Sequence, residues 1–205
     1  MMDIGKYGVT FFVVVAIVAL LVASPALSRA LVWPRTEFFS EMWILGSNNT
    51  AEDYPFNMSS GQSYRIYLGI GNQLGYCAYY QVEVKFRNES QSMPNSFGPV
   101  EDRVPSALPS LFNVSAFVAD QNNWTLPVTF GFDYVYDPNA SVVGFNNMRF
   151  NGNVLGMSGE STGLNATTSR FYGDLIFELW LYNGSTSTVG YHGRFVDLKL
   201  NMTVT

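Results

Sequence analysis

The sequence predicts an all-β fold, an immunoglobulin-like two-sheet β-sandwich, preceded by one N-terminal hydrophobic helix that is either transmembrane or a signal. Three observations predict it. Beyond residue 30, apolar and polar residues alternate with a period of two along most of the chain, which lines apolar side chains on one face of a strand. Aromatic residues are abundant, at 16 Phe, 12 Tyr and 4 Trp, and Gly numbers 18, a mixture that suits strands and turns. Residues 9–27, by contrast, form one apolar run without a charge.

The helix comes first. Residues 1–8 form a short n-region containing Lys6, and residues 9–30 form the helix. At about 1.5 Å per residue, Val9 to Leu27 spans roughly 28 Å, the thickness of a bilayer's hydrocarbon core. Two readings stay open. As a cleaved signal peptide, it ends among the small residues of Ala26-Leu27-Ser28 or Ser28-Arg29-Ala30. As an anchor, it continues to about Ala30, with Trp33 at the interface and Pro34 as the stop. Both deliver residues 31–205 outside the cytoplasm as one extracellular domain.

The strands follow in order. Tyr64, Ile66, Leu68 and Ile70 share one face. Tyr80, Val82, Val84 and Phe86 oppose Gln81, Glu83, Lys85 and Arg87. Residues 89–110 hold Pro94, Pro99, Pro105 and Pro109 and read as an irregular crossover. Phe112, Val114, Ala116 and Val118 alternate with Asn113 and Ser115, and Leu126, Val128, Phe130 and Phe132 make another inward row. Residues 137–172 read as an inserted hairpin region, turning at Asn151-Gly152. Leu175, Phe177, Leu179 and Leu181 point inward, as do Val196, Leu198, Leu200, Met202 and Val204. The strand at 174–182 is apolar on both sides. Its second face, Ile176, Trp180 and Tyr182, is either covered by the 137–172 excursion, the favoured reading, or is an interaction face.

The acceptor pattern for N-glycosylation, N-x-S/T, occurs at Asn48, Asn57, Asn88, Asn113, Asn123, Asn139, Asn165, Asn183 and Asn201. With seventeen Asn in the chain, chance supplies roughly two or three. Sugars also answer a question of solubility, because only 13% of residues are charged. In the strands around Asn113 and Asn201, alternation turns both asparagines away from the expected core.

Net charge is −5, and the 11 Lys and Arg form no run, so nucleic acid is excluded as a partner. The single cysteine, Cys77, allows no internal disulfide and is expected as a small buried residue. No catalytic, cofactor or metal constellation is expected. His192 is the only histidine and has no nucleophile motif beside it. The pairs Glu52-Asp53 and Glu101-Asp102 lie outside any calcium-loop pattern, and Asp53 is expected to cap amides of its own turn.

The stretch "TEFFSEMWILGSNNTAEDYPFNMSSGQSYRIYLGIGNQLGYCAYYQVEV" resembles archaeal membrane proteins of the domain-of-unknown-function 1616 (DUF1616) family. The matching positions are Thr36, Glu37, Phe38, Leu45, Gly46, Ala51, Asp53, Tyr54, Pro55, Gly61, Gly69, Ile70 and Asn72. The closing strands, with Tyr191 and Arg194, look similar too, whereas residues 133–173 are extra sequence. The resemblance implies an archaeal, surface-facing, anchored β-sandwich and no activity.

The expected function is therefore that of a non-enzymatic, N-glycosylated extracellular protein of an archaeal cell envelope. Structural, adhesion and membrane-complex assembly roles all fit. Its partners would be the membrane, N-linked glycans, and further copies or other envelope proteins. One alternative is a secreted filament subunit, whose strand around Leu31 to Leu45 adds to its neighbour after signal removal. A second alternative is a glycan-acting hydrolase, which needs two convergent carboxylates in a cleft.

Overall fold

The computed structural model describes residues 4–30 and 37–204. It forms two compact units, Met1–Glu37 and Phe38–Thr205. The first holds helix α1, Ile4–Ala30, 27 residues long. Within it, Tyr7–Pro25 is long and apolar enough to cross a membrane or to act as a signal, and none of that window is buried. Pro25 lies inside the helix and has no N–H to donate to the preceding turn. Trp33 and Pro34, the expected interface residue and helix stop, lie outside the described residues.

The second unit is built of strands. One layer contains β1 (Phe39–Leu45), β3 (Tyr64–Gln73), β6 (Asn122–Asp137), β7 (Val142–Phe150) and β8 (Asn153–Gly156). The other contains, from edge to edge, β2 (Asn57–Met58), β11 (Thr188–Met202), β10 (Arg170–Asn183), β4 (Ala78–Asn88) and β5 (Phe112–Val118). Strand β9 (Ser161–Asn165) pairs with β7 and with the start of β10. Hydrogen bonding thus makes one continuous sheet of 11 strands, folded over on itself. All pairs are antiparallel except β2 with β11.

The core lies between the layers. Ile66, Leu68, Ile70, Val128, Phe130 and Phe132 from one side meet Tyr80, Val82, Val84, Phe86, Leu175, Phe177 and Leu179 from the other. Phe86 stands edge-on to Phe145 at 4.7 Å and lies 5.4 Å from Phe132, while Phe112 lies 5.1 Å from Phe150. These offset and edge contacts are the preferred arrangements of aromatic rings. Asn151 and Gly152 close the β7–β8 hairpin with φ of 46° and 82°, which a two-residue turn between strands demands.

Residues 137–172 do not cover the second face of β10. They supply β7, β8 and β9, and with them Val143, Phe145, Met148, Phe150 and Met157 of the core. The cover is the proline-rich crossover instead. Ser106 donates from its backbone N and its Oγ to Glu178 Oε1, at 2.8 and 2.6 Å. Lys85 Nζ donates to Glu178 Oε2 at 2.8 Å and to the Ser106 carbonyl at 3.2 Å. The physical reason lies in Glu178, which sits mid-strand with 0% exposure. A buried carboxylate needs partners for both oxygens, and the crossover brings them.

Candidate interaction surface

The second face of β10, for which a contact surface was the alternative reading, divides into three levels of exposure. Ile176 is fully buried and drops out as an interaction residue. Trp180 is half-buried, 5.8 Å from the Tyr191 ring and with Lys85 Nζ 5.8 Å above its own ring. Its buried indole Nε1 has no partner among the described residues. Tyr182 is exposed and meets Tyr79 edge-on at 6.3 Å, and Tyr79 lies 4.9 Å from Phe117. Phe117 is 74% exposed. Strands β5, β4 and β10 thus carry an outward aromatic row.

Beside this row opens a cavity of about 580 Å³, lined by Tyr76, Tyr182, Asn183, Thr188, Tyr191 and His192 among others. Burial, then the nearby Glu178 charge, pushes the Tyr191 hydroxyl up to about 12, so it stays protonated. His192 is pushed down to about 4, by burial first and then by Arg194 and Arg103. Its imidazole is therefore neutral at pH 7.

Behind His192 runs a hydrogen-bond chain that sequence reasoning missed. His192 Nε2 lies 2.9 Å from Ser40 Oγ, Ser40 Oγ lies 2.6 Å from the Tyr80 hydroxyl, and Tyr80 donates to Asn72 Oδ1 at 3.2 Å. Asn72 is fixed in turn: its Nδ2 donates to the carbonyls of Tyr76 and Val118, and its Oδ1 accepts from Leu74 N. The direction of the chain follows from that anchor. Tyr80 spends its proton on Asn72, so Ser40 donates to Tyr80 and accepts from Nε2–H of His192. A histidine that donates to a serine cannot act as its base, and Ser40 is fully buried. The chain of bonds ties β1 and β3 to β4 and β11, and its geometry suits a structural role rather than activation of Ser40. Asn72 in the DUF1616-like pattern, the inward Tyr80 and the lone His192 were each visible in advance, but not their connection, and nothing in the sequence singles out Ser40.

The nine sequon asparagines are not equivalent. Asn48, Asn57, Asn113, Asn123, Asn139 and Asn183 are exposed, and their Nδ2 atoms have no partner among the described residues. Asn88 and Asn165 are half-buried, and each donates from Nδ2, to the Ser161 carbonyl at 3.0 Å and to Glu89 Oε2 at 2.8 Å. Asn201, expected to face outward, is 7% exposed and donates from Nδ2 to Asn57 Oδ1 at 2.8 Å. Strand β2 pairs with β11 at this position and closes over it, which alternation within β11 could not reveal.

Cys77 is also corrected: it is exposed, in the turn between β3 and β4, outside the strand. Asp53 takes a left-handed φ of 56°, and its carboxylate caps nothing among the described residues. Its turn is held by Gly46 N donating to the Thr50 carbonyl at 2.7 Å and by the Tyr54 hydroxyl donating to the Ile44 carbonyl at 3.0 Å. A Cβ on Gly46 would fall 1.8 Å from the Glu52 carbonyl oxygen, so the turn can close only over glycine. Glu101 and Asp102 are exposed in a short 3-10 turn.

Fold and surface together define a class: a β-sandwich body behind a single apolar N-terminal helix. The model of the family described as "Domain of unknown function (DUF1616)" matches residues 34–138, half of the chain. The chain belongs to this family. The match covers the Gly46 turn and Asn72, and the closing strands lie outside it. No curated protein matches. Among solved structures, a beta-glucosidase from Listeria innocua in complex with isofagomine aligns with 83% of this chain at 9% identity and a TM-score of 0.37. The chain spans only 17% of that enzyme. The ASH / PapD-like domain 7 of human CEP192 aligns over 85% of this chain and 93% of its own length, at 9% identity and a TM-score of 0.32. At these scores neither likeness bears on function.

Proposed function

We propose that the protein is a non-enzymatic, N-glycosylated surface protein of an archaeal cell envelope. It is held by its N-terminal helix and serves in envelope structure, adhesion or assembly with other membrane proteins. The observation that carries this reading is the helix at Tyr7–Pro25, apolar throughout and without a buried side chain. In the same chain a sheet-built body exposes six sequon asparagines. A helix of this length and apolarity matches the hydrocarbon thickness of a bilayer.

The filament alternative loses support from β1. Phe39 to Leu45 pair with Gln73 to Tyr67 of the same chain, and Ser40 joins the buried hydrogen-bond chain, so residues 39–45 are already built into the sheet of their own body. The hydrolase alternative loses support from the carboxylates that the fold brings together. Glu83 and Glu178 pair across β4 and β10 around Lys85, but Glu178 is buried and spent on Lys85 and Ser106.

The test is fractionation of native cells, followed by intact mass and glycopeptide mapping. The expected result is membrane-bound protein that carries carbohydrate and retains Met1 to Leu27. A chain recovered bare from the cytosol would overturn the reading.

A further inference from the structure

We propose that the glycan on Asn183 is docked: its first sugars fold back into the adjoining cavity and stack on the ring of Tyr182. This rests on the glycoprotein reading above and goes beyond it, since a surface glycan ordinarily extends into water.

The geometry points there for three reasons. Asn183 itself lines the cavity, so the occupant arrives covalently tethered at the cavity's edge. Its Oδ1 accepts from Ser185 N at 2.9 Å, which fixes the amide plane and gives Nδ2, the attachment atom, one direction of departure. The opening also has the chemistry of a saccharide site. Tyr182 is 39% exposed and Tyr76 is 53% exposed, and such rings present the negative π-face that attracts the C–H side of a pyranose. Thr188 and the Tyr191 hydroxyl add polar groups to the lining. His192 donates through Nε2 to Ser40, which leaves Nδ1 as an acceptor unused among the described residues. At about 580 Å³ the cavity falls in the range of roughly 300–1,000 Å³ typical of small-ligand sites. The other exposed sequons supply a contrast: none of Asn48, Asn57, Asn113, Asn123 or Asn139 lines this cavity.

The experiment uses the full glycoprotein made in its own cells, with variants S185A, S141A, Y182L and Y182L/S185A. S185A removes the acceptor at Asn183 while keeping the asparagine. S141A removes the acceptor at Asn139, in the exposed β6–β7 turn, as the control. We expect sugar on Asn183 that a glycosidase trims more slowly than sugar on Asn139. S185A should lower Tm by roughly 2–4 °C, the shift that one stacking contact produces in a body of this size. S141A should leave Tm unchanged, and S185A should cost nothing further in the Y182L background. If Asn183 is bare while other sequons are occupied, the docking proposal fails and the glycoprotein reading stands. If every sequon is bare, both fail. If Asn183 is occupied but S185A costs as much with Y182L as without it, the docking proposal alone is overturned.

Discussion

Lys85 and Glu178 face each other beneath the crossover, at 3% and 0% exposure. Two charges taken so far from water are tolerable because every strong partner is present: Ser106 offers two donors and a carbonyl, and Glu83 lies 3.1 Å from Lys85 on its open side. Removing one charge strands the other. Glu178→Gln should therefore destabilise the body by about 3 kcal/mol, the low end for a broken buried pair, since Glu83 still faces Lys85. Urea unfolding measures it, and a loss under ~1 kcal/mol would mean that water reaches the pair. Gly69 makes a second residue-scale case. It stands opposite Trp43, and a Cβ there would fall 2.0 Å from the indole ring. Gly69→Ala must move that ring or lift β1, at a cost of about 1–3 kcal/mol. A cavity-free crystal structure with Trp43 unmoved would refute this account. Gly46 and Gly69 both lie in the stretch that the family model matches, and both act by letting other atoms approach.

At the scale of elements, the hydrogen-bond chain from His192 to Asn72 joins strands of the two layers at one end of the sandwich, and it should respond to acid. The folded protein holds His192 near 4, below its ordinary 6.5, so folding favours the neutral ring. Its contribution is complete above about pH 6.5 and is lost as pH falls through 4, by at most about 3 kcal/mol. Asp174 and Asp197 act in the opposite sense. Burial raises both, so their acid forms suit the fold and offset part of the loss. His192→Gln keeps a donor for Ser40 without a proton to gain. Its unfolding free energy should fall less than the wild type's between pH 6.5 and 4, and parallel curves would refute the role assigned to His192. Strands were legible in the sequence because each needs only its own alternation: Tyr80 to Phe86 and Leu175 to Leu179 point inward as expected. What was illegible is what depends on a partner strand. Asn201 reads as outward until β2 closes over it, and the second face of β10 reads as covered by 137–172 until Ser106, in a segment without periodicity, is found bonded to Glu178. Ser40 and His192 are 152 residues apart, joined by topology alone.

For the whole molecule, the question is how a body with 13% charged residues and open strand edges avoids pairing with copies of itself. Strand β5 is hydrogen-bonded only to β4, and β2 only to β11, so one layer ends at both sides in unpaired backbone groups. Charged side chains commonly protect such edges, and here β5 has none. It carries Asn113 instead, exposed and with its Oδ1 held by Ser110 at 2.7 Å, while β2 carries the exposed Asn57. A sugar on either strand would rise from the face beside the open edge and crowd the approach of a second strand. On the glycoprotein reading, occupied sequons on edges and turns would do the work that lysine does elsewhere. Ser115→Ala, which removes the acceptor at Asn113 and touches no core residue, should leave Tm unchanged within a degree or so and yet cause self-association. Sedimentation velocity in detergent should show dimers and larger species that grow with concentration, absent from the wild type and from Ser141→Ala. A Ser115→Ala protein that sediments like the wild type at every concentration would mean that β5 is protected by its shape, and that the glycans serve some purpose other than guarding the edge.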